Sequence, residues 1–267
     1  MSPRLPVLFI SHGGGPWPYV EELRAMYPQT ERELRGLAQR LPSAPKAVLT
    51  ISGHWEAPKF SVATGARPTM EYDYFGFPPN TYHVRYDAPG DPGLAREVLG
   101  HLREAGIDAL PDQRKGFDHG VFVPLGLIYP DANVPVTMVS IRSDYSPAEH
   151  LALGRALAPL REQGVLIIAS GLTYHNMQGF RQDSSTAVAE SFTGYLNAAM
   201  AQEPATRMQR LIDWESAPCA RLAHPREDHL VPLFVAVGAA GEDAGEVLFS
   251  ENVLKVPMTS YLFGAIA

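Results

Sequence analysis

Apolar runs that stop at a glycine or a turn and hand the chain over to histidine constrain this sequence more than any other pattern. LTISGHWE, Leu49 to Glu56, delivers His54 in this way; LPVLFISHGGG delivers His12, and GVLIIASGLTYHNM delivers His175 behind a Ser-Gly turn. Each run has the length and the residue types of a buried strand. In an open α/β sheet, ligands gather in the crevice beyond the carboxyl ends of the strands. Three imidazoles carried there from distant parts of the chain therefore converge on one point. A metal site is the economical reading.

The rest of the sequence supports that architecture. Strands are predicted at Leu5 to Ser11, Ala47 to Ser52, Val136 to Ile141 and Val165 to Ser170, with further strands around Phe249 and from Val256 to Ala265. A short strand near Tyr82 to Tyr86 interrupts an aromatic, proline-rich loop. Helical spacing marks Tyr19 to Met26, Thr30 to Leu41, Pro92 to Glu104, Val121 to Tyr129, Ser146 to Arg161, Ser184 to Met200 and Pro204 to Trp214. His224 to Gly241 reads as a loop leading into a buried helix. Asp91 before Pro92 caps a helix, and Gly106 and Gly164 end two others. The 267 residues, 45% of them hydrophobic, suffice for one substantial core, and no repeat or linker divides them. The expected fold class is α/β: a single domain over residues 1–267, with a central mostly parallel or mixed sheet flanked by helices.

A formal net charge of −7 without a basic block argues against a nucleic-acid partner. No apolar run approaches membrane-spanning length, and MSPRLPVLFISHGGG lacks the longer apolar region and cleavage site of a signal peptide. The single cysteine, Cys219, excludes an intramolecular disulfide framework and suits a reducing compartment. A cytoplasmic protein without membrane association is expected.

The remaining histidines divide by setting. His101 and His150 sit in helical segments among charged residues and are read as ordinary core or surface residues. For His83, beside Tyr82 and Arg85, packing and substrate contact are both open. His229 opens a predicted helix and can face the crevice from its other side, whereas His224, followed by Pro225, can equally brace the loop by hydrogen bonding. His119 also starts a helix, after Asp118, whose carboxylate can cap that helix or orient the ring. Imidazoles from several segments suit Zn2+ or Fe(II), and hard cations prefer oxygen ligands. Metal-hydroxide hydrolysis and oxygenation of a chelating substrate are then the two chemistries, and spacing does not choose between them. No H-E-x-x-H helix, C-x-x-C pair or G-x-S-x-G elbow is present, and Gly13 to Gly15 lack the Lys-Ser/Thr of a nucleotide P-loop.

ISHGGGP, SGHWE, YDYFGFPPNTYHVRYDAPGDP, GFDHGVFVPLGLIYP, SGLTYHN and HPREDHLVPLFVAVGAAG resemble, in that order, the successive motifs of extradiol ring-cleavage dioxygenases of the DOPA 4,5-dioxygenase type. These are similar in turn to the catalytic subunit of protocatechuate 4,5-dioxygenase, a class III extradiol enzyme. The resemblance implies a catechol and O2 as substrates and non-haem Fe(II) in the working enzyme. Irving–Williams preferences make Zn2+ plausible in the isolated protein. His12, His54 and His229 are then metal ligands, although the third ligand of the protocatechuate type is a glutamate and Glu227 and Asp228 adjoin His229 here. The resemblance places His175 at the metal and also allows it to be the acid/base histidine. A helix N-terminus disfavours imidazolium, so His119 is suited to accept a proton or to hydrogen-bond bound oxygen. Tyr72, Tyr74 and Phe77 either shape a pocket for the aromatic ring or pack. A monomer or homodimer is expected. Two other readings remain: a zinc-dependent hydrolase using His12, His54 and His175, and a non-catalytic Memo-like metal-binding interaction protein.

Overall fold

The apolar runs that end in histidine lie side by side in one sheet. The computed structural model describes residues 4–266. Residues 1–3, part of the stretch read as lacking a signal peptide, and Ala267 lie outside the described residues. The strands are β1 (Val7–Ser11), β2 (Ala47–Ala57), β3 (Phe60–Ala63), β4 (Ala109–Asp112), β5 (Val136–Arg142), β6 (Val165–Gly171), β7 (Gly245–Val253) and β8 (Val256–Phe263). They are ordered β4-β3-β5-β2-β6-β1-β8-β7. β5, β2, β6 and β1 run parallel, so the ends that carry histidine share one edge of the sheet. Antiparallel pairs flank this centre: β8 lies against β1 and β7 against β8, while β3 meets β5 on the other side. The sheet is therefore mixed. The strands read around Phe249 and from Val256 form the hairpin β7–β8, but the βα alternation fails at both flanks, and the four-residue strands β3 and β4 are too short to announce themselves.

Among the described residues, nine α-helices accompany the sheet: α1 (Glu21–Arg24), α2 (Pro28–Arg40), α3 (Pro92–Glu104), α4 (His119–Ile128), α5 (Pro147–Leu157), α6 (Asp183–Met200), α7 (Pro204–Ile212), α8 (Ala220–Ala223) and α9 (Val231–Ala240). α9 is apolar on every side and all its residues are buried, as a helix without a polar face must be. It packs on β6, β1 and α5. The α5 crossing is close enough that a Cβ on Gly154 would come 2.1 Å from the Val235 carbonyl oxygen. The far end of α9 needs partners for its last carbonyls. Buried Arg161 donates from Nη1 to Ala239 O at 3.0 Å and Ala240 O at 3.1 Å, and from Nη2 to Asp243 at 2.5 Å. At α2, Tyr27 provides no side-chain cap. Glu251 of β7 substitutes for it, accepting from Gln29 N at 2.8 Å and from Thr30 N at 2.9 Å.

Several local expectations change. β2 does not end at Ser52 but runs on to Ala57 through a register shift between Ser52 and Glu56. The strand expected near Tyr82 to Tyr86 is absent; Pro79–His83 is a 3-10 helix, with Pro78 and Pro79 unable to donate to a ladder. The helix read from Ser146 to Arg161 stops at Leu157 and continues as a 3-10 turn over Ala158–Gln163, where Pro159 lacks an amide hydrogen. The stretch Tyr19 to Met26 contains only the short α1. Pro204 to Trp214 likewise ends early, with α7 stopping at Ile212.

Two histidines away from the sheet edge are core residues. His150 accepts from Arg142 N at 3.0 Å and donates to Ser146 O at 2.7 Å, and burial pushes its pKa down to about 4. His224 is fully buried against Phe192 and Trp214, and burial pushes it down to about 3. Its ring nitrogens make no well-formed hydrogen bond, although the Thr173 backbone lies close enough to oppose the shift, so the ring packs more than it braces the loop. Both rings are neutral in the fold and protonate in the unfolded chain below about pH 6.5. The unfolded state then binds more protons, so stability falls as pH drops from there, by about 1.4 kcal/mol per pH unit for each ring. Urea midpoints of the metal-free protein should accordingly be lower at about pH 5 than at about pH 7. Equal midpoints would mean that these rings are protonated in the fold.

Candidate metal centre

Three backbone devices bring the histidines together. His12 follows β1 directly, and its amide donates to Gly171 O at 3.2 Å. His54 occupies the irregular stretch of β2, where pairing to β6 has ended at Ser52 and pairing to β5 resumes only at Glu56. A bulge re-aims a side chain in this way. His229 lies two residues before α9, and its carbonyl accepts from Leu172 N at 2.9 Å, just beyond β6.

The hydrogen bonds fix which ring nitrogen carries the proton. Ser170 Oγ donates to Gly120 O at 2.5 Å, so toward His12 Nδ1, 3.0 Å away, it acts as acceptor. Asp73 Oδ2 lies 3.1 Å from His54 Nδ1, and Asp228 Oδ2 lies 3.0 Å from His229 Nδ1. Carboxylates only accept, so Nδ1 is protonated in each ring and Nε2 presents its lone pair. Those three lone pairs face one another. His54 Nε2 is 3.1 Å from His12 Nε2 and 3.1 Å from His229 Nε2. Without a cation the arrangement is repulsive. Two donors each about 2.1 Å from one ion and at right angles to each other lie about 3.0 Å apart, which is the spacing found. Burial first, then the neighbouring histidines, hold His12 well below the ordinary imidazole value. Burial also lowers His229. Burial would lower His54 too, but the Asp73 hydrogen bond and the carboxylates of Asp118, Asp73 and Asp228 outweigh it, and its pKa rises.

His119 and His175 flank this triad from two sides. His119 is the first residue of α4, with its ring centroid 3.9 Å from that of His54. Its Nδ1 lies 2.8 Å from Asp73 Oδ1, which also accepts from the His119 amide at 3.0 Å. Burial, reinforced by His54, lowers its pKa and keeps the ring neutral with Nε2 unprotonated. His175 stacks on His229 with centroids 3.5 Å apart and faces Asp228 Oδ1 through Nδ1 at 3.6 Å. His12, His54 and His229 are in mutual ligand reach; His175 shares such reach with Asp228 and His229. Glu227 is held by Arg221 at 2.5 Å, and Asp228 meets His229 on the side away from the convergence.

Sequence reasoning missed Asp73, and assigned to Asp118 what Asp73 does. Asp118 makes no side-chain cap on α4; its Oδ1 accepts from Ser52 Oγ at 2.7 Å and its Oδ2 lies 3.3 Å from Lys115 Nζ. Burial favours the neutral acid at Asp73, but hydrogen bonds from His119 and His54 overcome this and hold the carboxyl well below the usual carboxylate range. The only hint in the sequence is a lone acid between tyrosines. Those tyrosines brace the loop that carries it: Tyr72 donates to Val84 O at 2.8 Å and Tyr74 to Thr81 O at 2.6 Å. An Asp73→Asn variant cannot accept from both rings and forces one of them to turn over. Co(II) affinity should fall by roughly 10- to 100-fold while the circular dichroism of the metal-free protein stays the same. Unchanged affinity would remove Asp73 from the centre.

Residues 5–266 match the family described as the catalytic LigB subunit of aromatic ring-opening dioxygenase. The 4,5-DOPA dioxygenase extradiol of Beta vulgaris is 39% identical over 75% of this chain and 75% of its own. Dioxygenase tasH of Hapsidospora irregularis is 33% identical over 97% of this chain and 85% of its own. The 4,5-DOPA dioxygenase extradiol of Escherichia coli K12 is 32% identical over 89% and 86%. An uncharacterized Escherichia coli K12 protein of known crystal structure superposes with a TM-score of 0.81 at 28% identity, covering 98% of this chain and 100% of that one. A family match over nearly the whole chain, with relatives above 30% identity, shows that the chain belongs to the family of the catalytic LigB subunit of aromatic ring-opening dioxygenases, the class III extradiol enzymes.

Proposed function

We propose that His12, His54 and His229 hold the ion for the metal-dependent extradiol ring opening that this chain, a dioxygenase of its family, performs on a catechol with O2. The observation that carries the ligand assignment is the convergence of three Nε2 atoms, with His54 3.1 Å from each of the other two, each ring fixed by an acceptor behind it. When bound, the ion supplies a Lewis-acid and redox centre at which a chelating diol and O2 meet. Fe(II) is the working ion in this reading, because Zn2+ has no redox chemistry; Zn2+ in the isolated protein follows from its higher affinity for nitrogen sites.

His119 takes the proton of a catechol hydroxyl at Nε2, since Asp73 already holds the proton on Nδ1. Returning that proton to the ring-opened product restores the neutral ring. His175, stacked on His229 and facing Asp228, is the second acid/base group, positioned on the opposite flank. Relatives named 4,5-DOPA dioxygenase extradiol support a DOPA-like or other catechol as substrate. The hydrolase and Memo-like readings are not favoured, because the family match spans every one of the His-bearing motifs. No helix among the described residues is long and apolar enough to cross a membrane. A cytoplasmic enzyme, monomeric or homodimeric, with small-molecule partners and no nucleic acid, completes the proposal.

Anaerobic loading with Fe(II), followed by oxygen and a panel of catechols, should give yellow ring-opened products. His12→Ala and His54→Ala should lose iron and turnover together while the fold survives, because the sheet and its helices, not the ligands, bury the core. Turnover by Zn2+-loaded protein without oxygen uptake would overturn the assignment. His119→Ala should keep near-stoichiometric iron and still bind catechol, yet open the ring roughly 10²- to 10⁴-fold more slowly in single turnover. Loss of iron in that variant would make His119 a ligand.

A further inference from the structure

SGHWE and HPREDH each contain a charged residue that the reaction as assigned leaves unused. Glu56 stands two residues beyond His54, and Arg226 three residues before His229. The two backbones meet at Gly53, where a Cβ would come 2.9 Å from the Asp228 carbonyl oxygen and 3.3 Å from His229 Cα. The entry to the His54 bulge is pinned, because Ser52 Oγ accepts from His54 N at 3.2 Å and donates to Asp118 at 2.7 Å. Its exit is Glu56, where pairing resumes opposite Ile141 of β5.

At that exit a closed triangle forms. Arg226 Nη2 donates to Glu56 Oε2 at 2.5 Å, Arg226 Nε donates to the Tyr145 oxygen at 2.6 Å, and the Tyr145 hydroxyl donates to the same Glu56 oxygen at 2.5 Å. Tyr145 reaches this position through a left-handed backbone, φ 53°, in the turn after β5. A residue with a bulky side chain holds such a conformation only where its surroundings fix it. The Arg226 side chain is 59% exposed, so the ion pair adds little to the stability of the fold. What a planar guanidinium fork does supply is a defined geometry.

We propose that Arg226, Glu56 and Tyr145 form a clamp, a set of positioning residues that fixes the span between His54 and His229 and with it the affinity of the metal centre. The inference rests on those two histidines being ligands. Its test is Co(II) titration of the metal-free full chain, followed by the visible absorption bands of the bound ion. Arg226→Gln and Glu56→Gln should each weaken Co(II) binding by roughly 10-fold, the low end for groups behind a ligand. The double variant should bind no more weakly than either single one, as partners in one interaction do. Arg226→Lys, which keeps the charge and loses the fork, should also bind more weakly. The melting midpoint of the metal-free variants should match the parent. Unchanged Co(II) affinity, or losses that simply add, would overturn the clamp. So would a lower melting midpoint in Arg226→Gln, which would make the triangle a support of the fold. A raised KM for acidic catechols with unaltered Co(II) affinity would overturn it too and make Arg226 a substrate contact. Failure of the parent chain itself to bind Co(II) would instead remove the ligand assignment beneath it.

Discussion

Three imidazole lone pairs aimed at one point are an electrostatic burden that a protein without a cation has no reason to carry. The structure imposes it deliberately, by placing an acceptor behind every ring. Ser170 receives His12 Nδ1, Asp73 receives His54 Nδ1 and Asp228 receives His229 Nδ1. Each acceptor removes the alternative in which the ring would turn a proton toward its neighbours. The parallel centre of the sheet exists, in this sense, to deliver donors to one edge; the loops exist to settle their tautomers. The orientation of all three rings then arises from one set of hydrogen bonds.

The two outer carboxylates repeat a pattern. Asp73 spans His54 and His119, and Asp228 spans His229 and His175. Each bridges one ring of the triad and one ring beside it. A shared carboxylate makes the orientations of the two rings interdependent, so a shift in the loop around Asp73 moves His54 and His119 together. This explains why the tyrosines of that loop bury their hydroxyls on loop carbonyls instead of leaving them to a substrate.

The histidines and the parallel strands were legible because they rest on short, strong signals: β-branched apolar runs, a terminal glycine, and an imidazole next to it. The same signals misplaced the end of β2, since a bulge keeps the apolar and small residues of a strand while changing its pairing. Asp73 was hidden for a different reason. Its partners lie 46 residues away at His119 and in β2 at His54, and nothing in YDYFG distinguishes an acid that binds two rings from one that faces water. Asp118, next to His119 in the chain, looked the better partner, but proximity in sequence was no guide. The trans cap of α2 by Glu251, 221 residues distant, was invisible for the same reason.

β1 lies between β6 and β8, and its last residue, Ser11, is tied to Ser260 and Thr259 across 249 and 248 residues. A ribosome making this chain therefore releases His12 early and the strand that flanks β1 near the end. At about 5 to 20 residues per second, roughly 12 to 50 seconds separate the two. For most of that interval the growing chain contains His12 and His54 but not yet His229. β1 is thus paired on both sides only when the chain is almost complete, so the cluster of histidines at its end reaches its final geometry late in synthesis.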